Sequence, residues 1–136
     1  MAQRIVLQNI QKPVQKRLDE DVIWVCDSLG FRTGRDLEAI TPKTVLLLLE
    51  NLRKRPGVPT EMLAEELAIS IGRVNYHIRS LVEAGFLRRE RRLIHLRAGS
   101  VKAAVEEMRK DANRIFDELS AVAEEIDARM GFRSRD

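Results

Sequence analysis

Two amphipathic stretches meet across only three residues, Ala68-Ile69-Ser70, and no other feature narrows the fold as much. The first stretch opens at Thr60 and runs from Glu61 to Ala68, with Leu63, Ala64 and Leu67 on one side. The second runs from Ile71 to about Ala84, with Val74, Ile78, Leu81 and Val82 recurring at helical spacing and Gly85 as a stop signal. Ser70 has the side chain that caps free N–H groups at a helix start, and Thr60 is read the same way. A junction this short leaves room only for two helices joined by a tight turn.

Signals on either side extend this unit. Thr41-Pro42 reads as a helix start, Thr as the cap and Pro at the first helical position, where no needed donor is lost. That helix continues through Val45 to Leu52 and ends on Arg53-Lys54-Arg55 before Pro56-Gly57, the cations suiting a helix C-terminus. After Gly85, the runs Phe86-Leu87-Arg88 and Leu93 to Arg97 read as a β-hairpin. Its bend is expected to be the four-residue Arg89-Glu90-Arg91-Arg92, because a two-residue turn demands positive φ, which arginine disfavours. Gly99-Ser100 introduces a last helix, capped by Ser100, reaching about Arg129 and stopped by Gly131.

Toward the N-terminus, Arg4 to Asn9 alternates weakly and is read as a short strand; Pro13 interrupts the chain before a helix beginning near Val14. Leu18, Val22, Val25 and Leu29 share one face of it, widened by Ile23, Trp24 and Cys26, and Gly30 ends it. Phe31 to Ile40 shows no clean period and reads as a connection with about one helical turn. The expected organisation is an N-terminal arm and helix (1–40), a central domain of three helices and a hairpin (41–98) and a long C-terminal helix (99–136). The fold class is mainly α with a small β-hairpin.

Composition excludes several classes. Apolar residues are 44% and charged residues 33%, as in a soluble globular chain rather than a disordered one. No apolar run is longer than Val45 to Leu49, far short of the ~20 residues that span a bilayer, and no basic-then-apolar leader opens the chain. A cytoplasmic protein without a membrane partner is expected. With Cys26 as the one cysteine, neither an internal disulfide nor a cysteine-built zinc site is available. No Gly-rich phosphate loop, paired acidic loop motif or Ser-His or Cys-His signature points to catalysis, so an enzyme is not expected and no catalytic residue is assigned.

Charge is unevenly distributed. Residues 70–98 hold seven Arg against two Glu, between a balanced segment (ten basic and ten acidic over 1–69) and an acidic one (seven against nine over 99–136). A basic excess packed into so short a stretch is the footprint expected for a polyanion, although a solvated basic face has the same composition.

Three helices followed by a hairpin studded with Arg is the order of parts in a winged helix. The stretch TEMLAEELAISIGRVNYHIRSLVEAGFLRRERRLIHLR resembles the winged helix-turn-helix of prokaryotic regulators of the ArsR and MarR type, closest to archaeal ArsR-like ones. The likeness rests on the LAEEL helix, the Ser70 cap, RVNYHIRSLVEAGFL with its exit glycine, and the wing, about 40 of the 136 residues. What it implies is transcription regulation by a homodimer on palindromic double-stranded DNA.

A helix fits the major groove, where outward side chains reach base edges. Arg73, Asn75, Tyr76 and Arg79 are the outward positions and the candidate base contacts: Arg73 suits paired bonds to guanine and Asn75 to adenine. Arg88, Arg89, Arg91 and Arg92 crowd the wing and are assigned to the phosphate backbone or minor groove, joined by Thr60, Ser70 and Gly72 at helix N-termini. Gly72 permits close approach of the backbone to a phosphate. His77, between inward positions, is expected to be packed rather than to bind metal. Some ArsR-type proteins sense metals through paired Cys and His; this chain has no such pair, and neither metal nor cofactor is expected.

The last helix carries a heptad seam of Val101, Val105, Met108, Ala112, Ile115, Leu119, Val122 and Ile126, broadened by Phe116 and Ala123. At 1.5 Å per residue such a helix is ~45 Å long, more than a winged-helix core can cover, so a second copy is the expected partner for the seam. Alternatives of the same shape are an architectural chromatin protein and an interaction module without nucleic acid. The sequence names no effector.

Overall fold

The computed structural model describes residues 2–31 and 39–135. Its elements are α1 (Leu18–Ser28), α2 (Ile40–Leu52), β1 (Val58–Pro59), α3 (Thr60–Leu67), α4 (Ile71–Ala84), β2 (Leu87–Glu90), β3 (Leu93–Leu96) and α5 (Val101–Met130). This is a winged helix-turn-helix: α2, α3 and α4 pack together, and the antiparallel strands, in the order β1-β3-β2, form the wing and its base. The core gathers Leu48, Leu63, Val74, Ile78, Leu81 and Ile94, with Phe31 and Phe86 tilted against each other at 5.5 Å between ring centroids.

Most boundaries agree with the sequence reading, and the departures have physical causes. Residues 4–9 form no strand: the arm is tied at two points to helix ends, Arg4 N–H to Glu83 O (3.1 Å) and Gln8 N–H to Ser28 O (2.7 Å), with no sheet edge beside it. It passes so close to Gly30 that a Cβ there would lie 2.7 Å from Val6, and Gly30 also has a φ of +68°. Helix α1 starts at Leu18 rather than near Val14, once Asp19, Glu20 and Asp21 can face its N-terminus. Its buried residues are Val22 and Cys26, while Leu18 is exposed. The turn expected within 31–40 falls largely on residues 32–38, outside the described residues.

Thr41 is not the cap of α2. Ala39 precedes the helix and Thr41 lies inside it, its hydroxyl 3.0 Å from His77 Nδ1 on α4. Thr60 is likewise the first residue of α3, preceded by Pro59, and makes no capping bond. Ser70 and Ser100 do cap, accepting from the backbone N–H of Arg73 (3.1 Å) and Ala103 (3.0 Å). Strand β1 had no sequence signal because it is two residues long and contains a proline; Pro59 is accommodated because β1 lies at the sheet edge.

The wing turn is the sharpest correction. Glu90 pairs with Leu93, so Arg91-Arg92 alone make the bend, with φ of +53° and +66°. Positive φ at both central residues matches the twist of the flanking strands, and that match prevails over arginine's preference.

Candidate nucleic-acid interface

Helix α4 turns Val74, His77, Ile78 and Leu81 into the domain and leaves Arg73, Asn75, Tyr76 and Arg79 outward, as the sequence pattern required. The Ser70 cap fixes where it begins, and Gly85, at a φ of +84°, ends it. His77 is held from behind by Thr41, and its role is packing rather than recognition. Among the described residues no three metal-ligating side chains cluster.

Alternation along β2 sorts the wing arginines. Successive strand side chains point to opposite faces, so Arg88 and Glu90 share one face and pair with each other, whereas Arg89 turns to the other. Arg89 reaches Thr60 Oγ1 (3.3 Å) with one terminal nitrogen and Asn75 Oδ1 with the other. A single guanidinium thus joins the wing to the start of α3 and the outer face of α4. Gly72, Asn75, Tyr76, Arg79 and Arg89 line one surface groove of about 620 Å³. Gly72 adds no bulk there, since a Cβ would find only Ser70 Oγ, 3.9 Å away. Arg79 is paired with Glu83 one turn on, at 3.1 Å.

The structure therefore brings together Thr60, Gly72, Asn75, Tyr76, Arg79 and Arg89. Arg88 stands apart on the opposite sheet face. Arg73 is exposed at the start of α4, and Arg91 and Arg92 are exposed at the wing tip; among the described residues none of these three has an ion-pair partner. Unpaired cations on an exposed face are available to an anion without first breaking a bond.

One cluster has no counterpart in the sequence reading. Asp111 of α5 is buried and accepts from Arg97 Nη1 (2.6 Å), Gln3 Nε2 (2.8 Å) and Arg114 Nη1 (3.3 Å). Gln3 also donates to Ala84 O (3.0 Å) and Arg97 to Gly85 O (3.3 Å), so two short bridges connect the exit of α4 to α5. Gly85 has a φ of +84°, which favours glycine, and a Cβ there would lie 2.8 Å from the Arg97 guanidinium and 2.9 Å from the Gln3 amide, so a side chain would push both bridging groups aside. The Arg97 hydrogen bond, reinforced by Gln3 and opposed by burial, lowers the Asp111 pKa to about 2, and Asp111 in turn raises that of Arg97. The only signal in the sequence was an acid between Met108 and Ala112, at the edge of an apolar seam.

Of the seam itself, Met108 is buried, Val101, Val105, Ala112 and Ile115 are half-buried, and Leu119, Val122 and Ile126 are exposed. The domain-facing side is Ala104, Met108 and Asp111. Among the described residues no helix is long and apolar enough to cross a membrane.

Residues 42–88 match the family model described as winged helix-turn-helix DNA-binding. The match runs from the first turn of α2 into β2, covering about a third of the chain, and supports DNA binding by a regulator. No curated protein matches the chain, and no solved structure matches it.

Proposed function

We propose that the protein is a transcriptional regulator of the ArsR-like kind that binds double-stranded DNA sequence-specifically as a homodimer. Helix α4 enters the major groove, where Arg73, Asn75 and Tyr76 read base edges and Arg79 follows once released from Glu83. Arg91 and Arg92 take phosphates or the minor groove, with Thr60, Ser70 and Gly72 close to the backbone. Arg88 plays a lesser part, since its partner Glu90 lies on the same sheet face. The observation that carries this reading is the groove in which Asn75, Tyr76 and Arg79 of α4 meet Arg89 of the wing. Asn75 Oδ1 is engaged by Arg89 in the free protein, so paired bonds from Asn75 to adenine require Arg89 to swing to a phosphate. The α5 stripe of Phe116, Leu119, Val122 and Ile126, each more than half exposed, supports a second copy as partner.

Selection from a random duplex pool, followed by binding across a salt series, tests the proposal. Arg73→Ala is expected to lose about 1–3 kcal/mol per half-site on the selected duplex and much less on random DNA. Arg91→Ala is expected to weaken both alike and to reduce the salt slope by about one unit per phosphate neutralised. Equal losses on both duplexes for Arg73→Ala would favour an architectural role, and the absence of salt-dependent binding would favour an interaction module.

A further inference from the structure

Asn75 does not offer both of its polar atoms to an incoming partner. A guanidinium only donates, so the Asn75 atom that meets Arg89 Nη2 is the carbonyl oxygen Oδ1, and the amide NH2 is the group left over. Arg89 is held by a second bond, Nη1 to Thr60 Oγ1 at 3.3 Å. The polar atoms that this pair still presents are therefore all donors: the Nδ2 hydrogens of Asn75 and the remaining N–H groups of Arg89.

The pair stands where a base edge would be read. Asn75 and Arg89 line one groove with Tyr76 and Arg79, on the outward face of α4. In the major groove guanine shows two acceptors, N7 and O6, whereas adenine shows one acceptor, N7, beside the N6 donor. Thymine offers one acceptor and cytosine a donor. A donor-only pair matches guanine at both edge atoms. Against adenine it matches N7 alone and sets N–H against N–H at N6. The paired bonds by which an unengaged asparagine reads adenine need Oδ1 as acceptor, and here Oδ1 is occupied.

The swing that adenine demands of Arg89 is opposed on two counts. Departure breaks both bonds of one fork and takes a donor from the hydroxyl of Thr60, a residue only 6% exposed. A phosphate, in turn, does not need the swing. Two of the five guanidinium N–H groups are used in the fork, and the other three remain for an anion without loosening it. The charge is uncompensated as well, because Thr60 and Asn75 are neutral and Arg89 has no carboxylate partner among the described residues.

We propose that Arg89 sets the base preference of Asn75: by engaging Oδ1 it turns a side chain suited to adenine into a donor-only one, and the DNA site carries guanine at the position that Asn75 faces. This rests on the reading of α4 as the recognition helix given above. Arg89 is a positioning residue in this role, and through it the wing enters the sequence preference of α4 and not only its affinity for the backbone.

Selection from a random duplex pool with the full chain tests the proposal, using the wild type, Asn75→Ala, Arg89→Ala and the double variant, each checked for an unchanged fold by circular dichroism. The position read by Asn75 is the one at which Asn75→Ala loses its preference. There the wild type is expected to favour guanine over adenine roughly tenfold, the scale of one good paired contact. Arg89→Ala leaves Oδ1 open and is expected to turn the preference to adenine, and the double variant to show none, because the new preference acts through Asn75. A residue that merely supported the fold would lower affinity without changing the base. Adenine selected by the wild type, or guanine retained by Arg89→Ala, overturns the proposal and leaves DNA recognition by α4 standing. Loss of guanine without gain of adenine overturns it too, since Arg89 would then read the base itself. A wild type that selects no sequence removes both the proposal and the reading beneath it.

Discussion

Helix α4 buries Val74, Ile78 and Leu81 to 1% exposure or less, whereas α5 leaves Leu119, Val122 and Ile126 at 53–57%. Both helices repeat apolar residues at the spacing that makes one continuous face. In α4 the face is covered by α2, α3 and the base of the wing, within a single protomer. In α5 the cover thins after Asp111, with Ala112 and Ile115 half-buried beside the N-terminal arm, and the pattern continues exposed from Leu119 for about three more turns. Periodicity shows that a face is meant to be covered; only the packing shows that the cover is missing from one chain. The apolar face of α4 therefore serves the fold, and the far half of α5 is left exposed, available to the second copy proposed above.

Substitutions on the two helices should separate these roles. Ile78→Ala, deep in the core, is expected to cost about 2–5 kcal/mol and to lower the thermal melting temperature at any protein concentration. Leu119→Lys disturbs no packing within a single protomer. It is expected to keep the fold by circular dichroism while converting the dimer to monomer by sedimentation, with loss of tight operator binding. A monomeric wild type at micromolar concentration, or a Leu119→Lys variant as unstable as Ile78→Ala, would erase the distinction between the two helices.

How much of this was legible in the sequence differs by residue type. The positions that face inward from α4 and the caps Ser70 and Ser100 follow from spacing and from chemistry confined to neighbouring residues. Thr41 and Thr60 carry the same capping chemistry, yet each sits where the chain is buried, and tertiary partners, His77 and Arg89, take the hydroxyl instead. The partition of the wing arginines needed the strand register, because only the register puts Arg89 and Arg88 on opposite faces. Asp111 was least legible of all: of its three partners only Arg114 is local, while Arg97 and Gln3, which give the shorter bonds, lie 14 and 108 residues away in sequence.

That cluster marks the boundary between the two regimes of α5 and gives it a pH signature. The Asp111 pKa stands at about 2 in the folded protein against 3.8 for the ordinary side chain. A depressed carboxylate stabilises the fold fully above its unfolded pKa, and the contribution is lost as pH falls from about 4 through about 2, amounting to about 2 kcal/mol. Asp111→Asn is expected to be less stable than the wild type at neutral pH and to lose the part of the acid dependence that lies in this window. Denaturant melts at pH 6 and pH 3 check it: an unchanged difference between the two pH values in the variant would mean that Asp111 does not couple α5 to the exit of α4.

The smallest effect concerns the wing tip, where local preference and position disagree. Arg91 and Arg92 both hold positive φ, a conformation costing an ordinary residue about 1 kcal/mol and glycine very little. Nothing in the domain's packing asks for arginine there, since both side chains are exposed and have no ion-pair partner among the described residues. On the proposed reading the cost is borne for contact with DNA, in contrast to the tip-flanking Arg89, which is anchored to Thr60 and Asn75. Arg92→Gly should therefore move stability and function in opposite directions. Melting is expected to show a gain of up to about 1 kcal/mol from the relieved turn. DNA binding is expected to weaken on specific and random duplexes alike, with a salt slope lower by about one unit for each phosphate that Arg92 neutralises. A variant that gains stability and binds DNA as tightly as before would show that the strained turn does not touch nucleic acid, and the interface would then consist of α4 and Arg89 alone.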